Sequence, residues 1–353
     1  MTGRRDIQAL SDPGLRSILD DLRKRILSGR LAAGERLPAV RELAATYGVA
    51  GTTVHRCLLE LGAAGFLSTH GRNGTRVVDY PPHRCCFGLV LPELPLADGT
   101  YQQRHWQAKA LAARAVSTGP AQRVEIFHGI NSHPELQEHV RLLAALEQHR
   151  LAGLIMVNED AISDWLVPAR LGLPVVGVKP VATQPAIGQL LLDLSSFLQG
   201  ALQAVAKRGL QRVAVLLDVH FHSFVPALIL SAQSLGLDLP LKRIQCVPTI
   251  HPDWASHAIA GLFSGPLKER PEALILADEI VIPAAQDALD AVGVSRLFQV
   301  HLANLPLPAL TARPALRLGW NHQSYMTTAI TLINAWNTTQ QPIGNNKLEL
   351  VEA

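Results

Sequence analysis

From Cys86 onward, short apolar runs alternate with helix-length amphipathic segments, and the same alternation then starts again further along the chain. The first series reads CFGLVLP, a helix near 100–118, RVEIFHG, a helix near 134–149, GLIMV and PVVGV. The second reads a helix at about 194–208, RVAVLLD, a helix at 224–236, RIQCV, a helix at 252–264, ALILAD, a helix at 279–292 and LFQVHLA. Strands that alternate with helical patterns imply crossover connections and parallel sheets. The repeat of that pattern predicts two similar α/β lobes. LRLGW, a helix at about 322–337 and a strand-like LELV follow, as a chain crossing back between lobes would.

The residues before this body have a different balance. Residues 1–84 carry 13 Lys plus Arg against 8 Asp plus Glu, while the remainder carries 19 against 21, so the net charge of +3 hides a positive excess at one end. A basic, compact segment on a near-neutral chain suggests a polyanion-binding module attached to something with another job. Pro81-Pro82, inside DYPPHR, continues neither a strand nor a helix and reads as a stiff linker. The expected division is a DNA-binding domain at 1–79, a linker at 80–85 and a two-lobed body at 86–353. Its first lobe would hold about 86–193 plus 320–338, and its second about 194–319 plus 339–353.

Within the basic segment, Leu15, Ile18, Leu19, Leu22 and Ile26 recur at helical spacing, with Asp12-Pro13 to start the helix and Ser28-Gly29 to end it. Pro38 opens a second short helix, PAVRELAATY, closed by Gly48; a third follows with Val54, Cys57, Leu58 and Leu61 on one face. Two short helices joined at a glycine make a helix-turn-helix. Phe66-Leu67-Ser68 and Thr75-Arg76-Val77-Val78 flank HGRNG and read as two strands around a tight turn, a wing.

The ordered phrases LPAVRELAATYGV, TTVHRCLLELGAAGFL and HGRNGT, across Leu15 to Val78, resemble the winged helix of GntR-type bacterial regulators. The resemblance implies that the third helix enters the major groove and the wing lies along the minor groove or backbone. By position it points to Arg41 for a bidentate guanine contact, to Thr52, Thr53 and His55 on the third helix, and to His70, Gly71 and Arg72 on the wing. Two departures stand out. Where the family usually has Ser or Thr then Arg, this chain has Ala50-Gly51, so a base-reading arginine is missing. Side-chain capping is lost too, at ~1 kcal/mol, unless Gly51 serves as N-cap.

The body resembles the periplasmic-binding-protein-like sensor of LacI-type regulators, through DLSSFLQGALQAVAKRGLQRVAVLLD, PEALILADEIVIPAAQDALDAVGV and LRLGWNHQSYMTTAITLI. Such sensors hold a small molecule between two lobes, at the carboxyl ends of parallel strands. The positions this implies are Pro92, Glu93 and Leu94 after the first strand, Lys179 after PVVGV, Phe224 at the start of the next lobe's helix, Asp278 after ALILA and Asn304 after the last interlobe strand; His220, just after RVAVLLD, and Trp320, next to the lobe crossover, are further candidates. Phe224, Lys179 and Asn304 stand where sugar-binding members commonly carry Arg, Asp and Asp, which argues against an ordinary sugar. Trp106, Trp165 and Trp254 are expected to pack helices.

The combined reading is a bacterial transcriptional regulator, expected to be a repressor, whose affinity for an operator in double-stranded DNA follows a small-molecule effector, a sugar or related metabolite. A homodimer matches a two-fold operator. Two alternatives come from other classes. One is a winged helix fused to a pyridoxal-phosphate aminotransferase-like enzyme, for which no lysine stands in a recognisable Schiff-base setting. The other is a small-molecule binding protein. No nucleophile-elbow, zincin, Walker or dinucleotide motif appears, so no enzyme activity and no cofactor are expected. His220-Phe221-His222 has only Asp218 near it and makes no metal site, and the four cysteines show no C-x-x-C spacing. Without a long apolar run or an apolar leader after MTGRRDIQAL, the expected location is the cytoplasm.

Overall fold

The computed structural model describes residues 13–71, 74–130, 137–157, 172–177 and 185–353. Among the described residues, the basic segment up to Val78 folds into three helices and a hairpin. Helix α1, Pro13–Leu27, turns Leu15, Ile18, Leu19, Leu22 and Ile26 inward, and all five are buried. Helix α2, Val40–Tyr47, begins two residues after Pro38, because Ala39 is extended and its N–H donates to Glu42 Oε2 at 3.1 Å. Gly48 ends it in the left-handed region, at φ 65°. Helix α3, Gly51–Ala63, starts from Ala50 with no side-chain cap, so Gly51 is the first helical residue and does not act as N-cap. Strands β1, Leu67–Thr69, and β2, Thr75–Val77, pair antiparallel from Leu67 opposite Val77 to Thr69 opposite Thr75. Cys57, Leu61, Phe66 and Val77 close one core with the apolar face of α1.

The Pro-Pro segment is a correction. Pro82 begins a one-turn helix, α4, Pro82–Cys85, because a proline at the first helical position lacks only an N–H that would have no intrahelical partner. The His83 ring stacks on Phe66 at 5.8 Å, tying this turn to the winged helix. Burial, then the charge of Arg84, pushes the His83 pKa down to about 4.

The first lobe contains β3, Cys86–Val90; α5, Arg104–Val116; β4, Arg123–Phe127; α6, Gln137–Glu147; β5, Gly153–Met156; β6, Val175–Gly177; and β7, Ile187–Leu191. The second contains α7, Leu194–Lys207; β8, Val213–Asp218; α8, Val225–Ser234; β9, Ile244–Val247; α9, Trp254–Phe263; β10, Ala273–Leu276; α10, Ile282–Ala291; β11, Phe298–Leu305; and β12, Leu316–Asn321. The chain then crosses back in α11, His322–Thr339, whose Tyr325, Met326, Ala329, Ile330 and Ile333 lie in the first lobe's core. Strands β13, Asn345–Lys347, and β14, Val351–Glu352, finish one in each sheet.

The sheets run β13-β7-β6-β5-β3-β4 and β14-β12-β11-β10-β8-β9, parallel throughout except for β14 against β12. Parallel strands place all their carboxyl ends on one edge, which is where loops can converge on a ligand. Asn345–Lys347, expected in the second lobe, pairs with β7 of the first, because the tail crosses the boundary twice. Strand β7 was not foreseen: Gly188 and Gln189 break its apolar run, and its partner β13 is distant in sequence. Among the described residues, no helix is long and apolar enough to cross a membrane.

Candidate functional site: the winged helix and the interlobe edge

Arg41, the second residue of α2, is exposed, as are Thr52 and His55 on α3, whereas Thr53 is half-buried. The starts of the two helices abut: a Cβ on Gly51 would meet Val40 Cγ1 at 3.6 Å. Arg41, Thr52 and Thr53 therefore belong to one end of the helix-turn-helix. His70 is exposed and its Nε2 lies 3.2 Å from Ser68 Oγ. Gly71, at φ 50°, has open space where a Cβ would stand. Arg72 lies outside the described residues. The sequence reading missed Arg36, whose guanidinium lies where a Cβ on Gly74 would stand, 2.9 Å from Nε. It also missed Arg56, exposed and four residues beyond Thr52, although that spacing puts both on one helix face.

In the second lobe, the ends of β8, β10, β11 and β12 bring together Asp218, Asp278, Asn304 and Trp320 along one edge. Asp218 is buried; it accepts the N–H of His220 at 2.8 Å and of Thr249 at 3.0 Å, and its Oδ1 lies 2.5 Å from His220 Nδ1. Burial alone would raise its pKa, but these hydrogen bonds outweigh that and hold it below the usual carboxylate range. Asp218 so aims an imidazole that is itself 83% exposed. Phe224 packs edge-on to Phe221 at 6.0 Å.

Asp278 accepts the N–H of Ile280 at 2.9 Å, capping the short turn Glu279–Val281. Burial pushes its pKa up to about 6, against the help of that N–H, and the charges of Asp218 and Glu279 add to the rise. Trp320 is 5% exposed and packs in the second lobe's core, with its Nε1 lacking a partner. On the first lobe's side, Pro92 and Glu93 follow β3, and Glu93 Oε1 accepts the N–H of Gln102 at 2.8 Å. Leu94 is half exposed. Lys179 and Trp165 lie outside the described residues. Trp254, expected to pack a helix, is instead 59% exposed beside His251, because α9 turns Ala255, Ile259 and Phe263 inward.

What joins the lobes was not foreseen. Arg104, the first residue of α5, donates from Nε to Glu279 Oε2 at 3.0 Å and from Nη2 to the Pro308 carbonyl at 2.7 Å. Glu279 is 1% exposed; Asn304 Nδ2 donates to its Oε2 at 3.0 Å, and Arg317 stands 3.6 Å from its Oε1. Asn304 Oδ1 in turn lies 3.0 Å from His322 Nε2. Asn304 is therefore part of a chain of polar contacts from Arg104 to the start of α11. Arg104 and Glu279 are 175 residues apart, and neither sits in a local motif.

Comparison with known proteins places these parts. Residues 15–77 match the family model of bacterial regulatory proteins, gntR family. A stretch of 69 residues is 41% identical to the HTH-type transcriptional regulator Rv1152 of Mycobacterium tuberculosis, covering 18% of this chain and 57% of that relative. The chain thus spans little more than half the length of that relative. Among solved structures, the transcriptional regulator CelR in complex with cellobiose is similar over 90% of this chain and 98% of its own, with a TM-score of 0.58 at 15% identity. A regulatory protein of LacI family from Chloroflexus aggregans covers 76% of this chain and 96% of its own, with a TM-score of 0.58 at 13% identity. A LacI family transcriptional regulator from Lactobacillus casei with bound glucose covers 76% and 98%, with a TM-score of 0.52 at 17% identity. At these identities the likeness is one of fold: a two-lobed, periplasmic-binding-protein-like body, which displaces the aminotransferase-like alternative.

Proposed function

We propose that this chain is a DNA-binding transcriptional regulator whose operator affinity is controlled by a small molecule held between its two α/β lobes. The observation that carries the reading is the gntR-family match over residues 15–77, on a module that exposes Arg41, Thr52, His55, His70 and Gly71. Arg41 would read a guanine edge, and Thr52, Thr53 and His55 would face the major groove. Arg56 is a candidate for the base-reading arginine missing at the start of α3. His70, Gly71 and Arg72 would lie along the minor groove, where a glycine allows close approach.

The effector site we propose is the edge formed by Pro92, Glu93, His220, Phe224, Asp278 and Asn304, with Lys179 and Trp320 carried over from the sequence reading. Arg104 and Glu279 span it and make lobe closure the element that an effector would bias. The helical turn at Pro82–Cys85, packed on Phe66, supports transmission of that closure to the winged helix. A homodimer on a two-fold operator follows from the short reach of one winged helix. Selection of binding sites from random DNA, then anisotropy titrations with and without a compound found by thermal-shift screening, tests the whole reading. A specific site whose affinity changes with that compound is expected. Light scattering of the free and DNA-bound protein should give a dimer, and a monomer in both states would remove the two-fold operator.

A further inference from the structure

Lys109 lies on α5, inside the first lobe, and is 2% exposed. Among the described residues no carboxylate pairs with it and no oxygen accepts from its ammonium. Its Nζ stands over two rings, 5.4 Å from the centre of Trp106 and 5.3 Å from that of Tyr325. Ring faces offset only part of the cost of taking an ammonium out of water. Two neighbours share the deficit: Tyr325 Oη and His322 Nδ1 are buried without hydrogen-bond partners. Among the described residues, their surroundings offer no polar partner: the Tyr325 ring belongs to a core with Ala112, Ala113, Met326, Ala329 and Ile330.

The carboxylate that leads toward this place is already engaged. Both oxygens of Glu279 are taken, Oε2 by Arg104 and Asn304 and Oε1 by Arg317, and Asn304 passes the contact on to His322. A buried water would serve the Tyr325 hydroxyl but leaves the ammonium's charge unbalanced. A small anionic group serves both. The place adjoins the interlobe edge through His322, whose Nε2 lies 3.0 Å from Asn304 Oδ1 and whose ring centre stands 6.4 Å from that of Tyr325.

We propose that the effector is an acid whose carboxylate or phosphate pairs with Lys109 and accepts from Tyr325 Oη. The proposal rests on the effector-controlled reading of the interlobe edge. It carries a proton signature. Burial alone brings the Lys109 pKa down to about 7. Desolvation, then Lys109, holds His105 on the same helix down to about 3; on α11, His322 is driven well below its usual value and Tyr325 above its own. Those three groups stay neutral near pH 7, and Arg104 and Glu279 pair with each other. An anion requires the charged ammonium, so binding should take up protons and weaken as pH rises through about 7 to 8.

The test uses the full chain and Lys109→Met, a substitution that fills similar volume without charge. Citrate, gluconate and glucose 6-phosphate are titrated beside neutral glucose and a broader metabolite library, by thermal shift and by calorimetry in buffers of different ionisation heat. The expected result is that acids stabilise the wild type with proton uptake, and lose about tenfold or more in affinity in Lys109→Met, while that variant alone melts no lower than the wild type. Carboxylates and phosphates compared at equal charge identify the headgroup. If only neutral compounds bind, or acids bind Lys109→Met as well as the wild type, the proposal is overturned and effector control stands. If no compound of either class binds, both fall.

Discussion

Asp278 concentrates at one carboxylate the tension between holding the fold and meeting a ligand. Its Oδ1 caps the turn through Ile280, yet burial has raised its pKa to about 6. A carboxyl raised above its unfolded value binds more protons in the folded state, so it costs stability above about pH 6 and less as pH falls toward 4. Asp278→Asn keeps the accepting oxygen and removes the charge. At pH 7 it should melt at or above the wild type, by on the order of 1 to 2 kcal/mol, with the gap closing as pH falls through 6. If Asp278 also accepts from the effector, calorimetry should find affinity lowered by ~1.5 to 3 kcal/mol; unchanged affinity leaves it a cap alone. On the DNA side, Arg41→Ala should cost ~1 to 3 kcal/mol and relax one operator position, whereas Arg72→Ala should weaken all sequences alike and flatten the salt slope. Binding measured on a set of single-base operator variants at two salt concentrations separates them, and identical profiles would refute the division of roles.

At the scale of elements, β12 carries the chain out of the second sheet, and Gly319 sits in it with almost no room. A Cβ there would stand 1.8 Å from the carbonyl oxygen of Ala303 on β11. Backbone cannot rotate aside as a long side chain can, so Gly319→Ala should destabilise the protein by about 1 to 3 kcal/mol or more, read as a lower urea midpoint. Most helices and strands of the body were legible because each carries its own period of apolar residues, 3.6 or 2, and ends at glycine, proline or a capping residue. Strands β7 and β13 were not, since each is short, polar in part and stable only beside the other. The exposure of Trp254 was also hidden, because α9 has three inward residues without it and its sequence does not say which face meets the sheet.

Across the whole molecule, Arg104 bridges the lobes, its guanidinium reaching both Glu279 and the Pro308 carbonyl. Arg104→Ala leaves Glu279 with Arg317 and Asn304, so folding should survive while the restraint on lobe separation is lost. Small-angle scattering of the unliganded variant should give a larger radius of gyration than the wild type, and DNA affinity should respond less to effector. An unchanged radius would show that the bridge does not set closure. The sequence by itself determined the architecture, a winged helix followed by two parallel α/β lobes, together with the strand ends along which Asp278 and Asn304 would be found. Those are local properties, written in spacing and in contiguous motifs. Only the tertiary structure decided that Arg104 meets Glu279, that Asn304 links Glu279 to His322, and that Lys109 is left without a counter-charge. Such pairings join residues whose separation along the chain carries no periodic signal, and burial alone gives them their energetic weight.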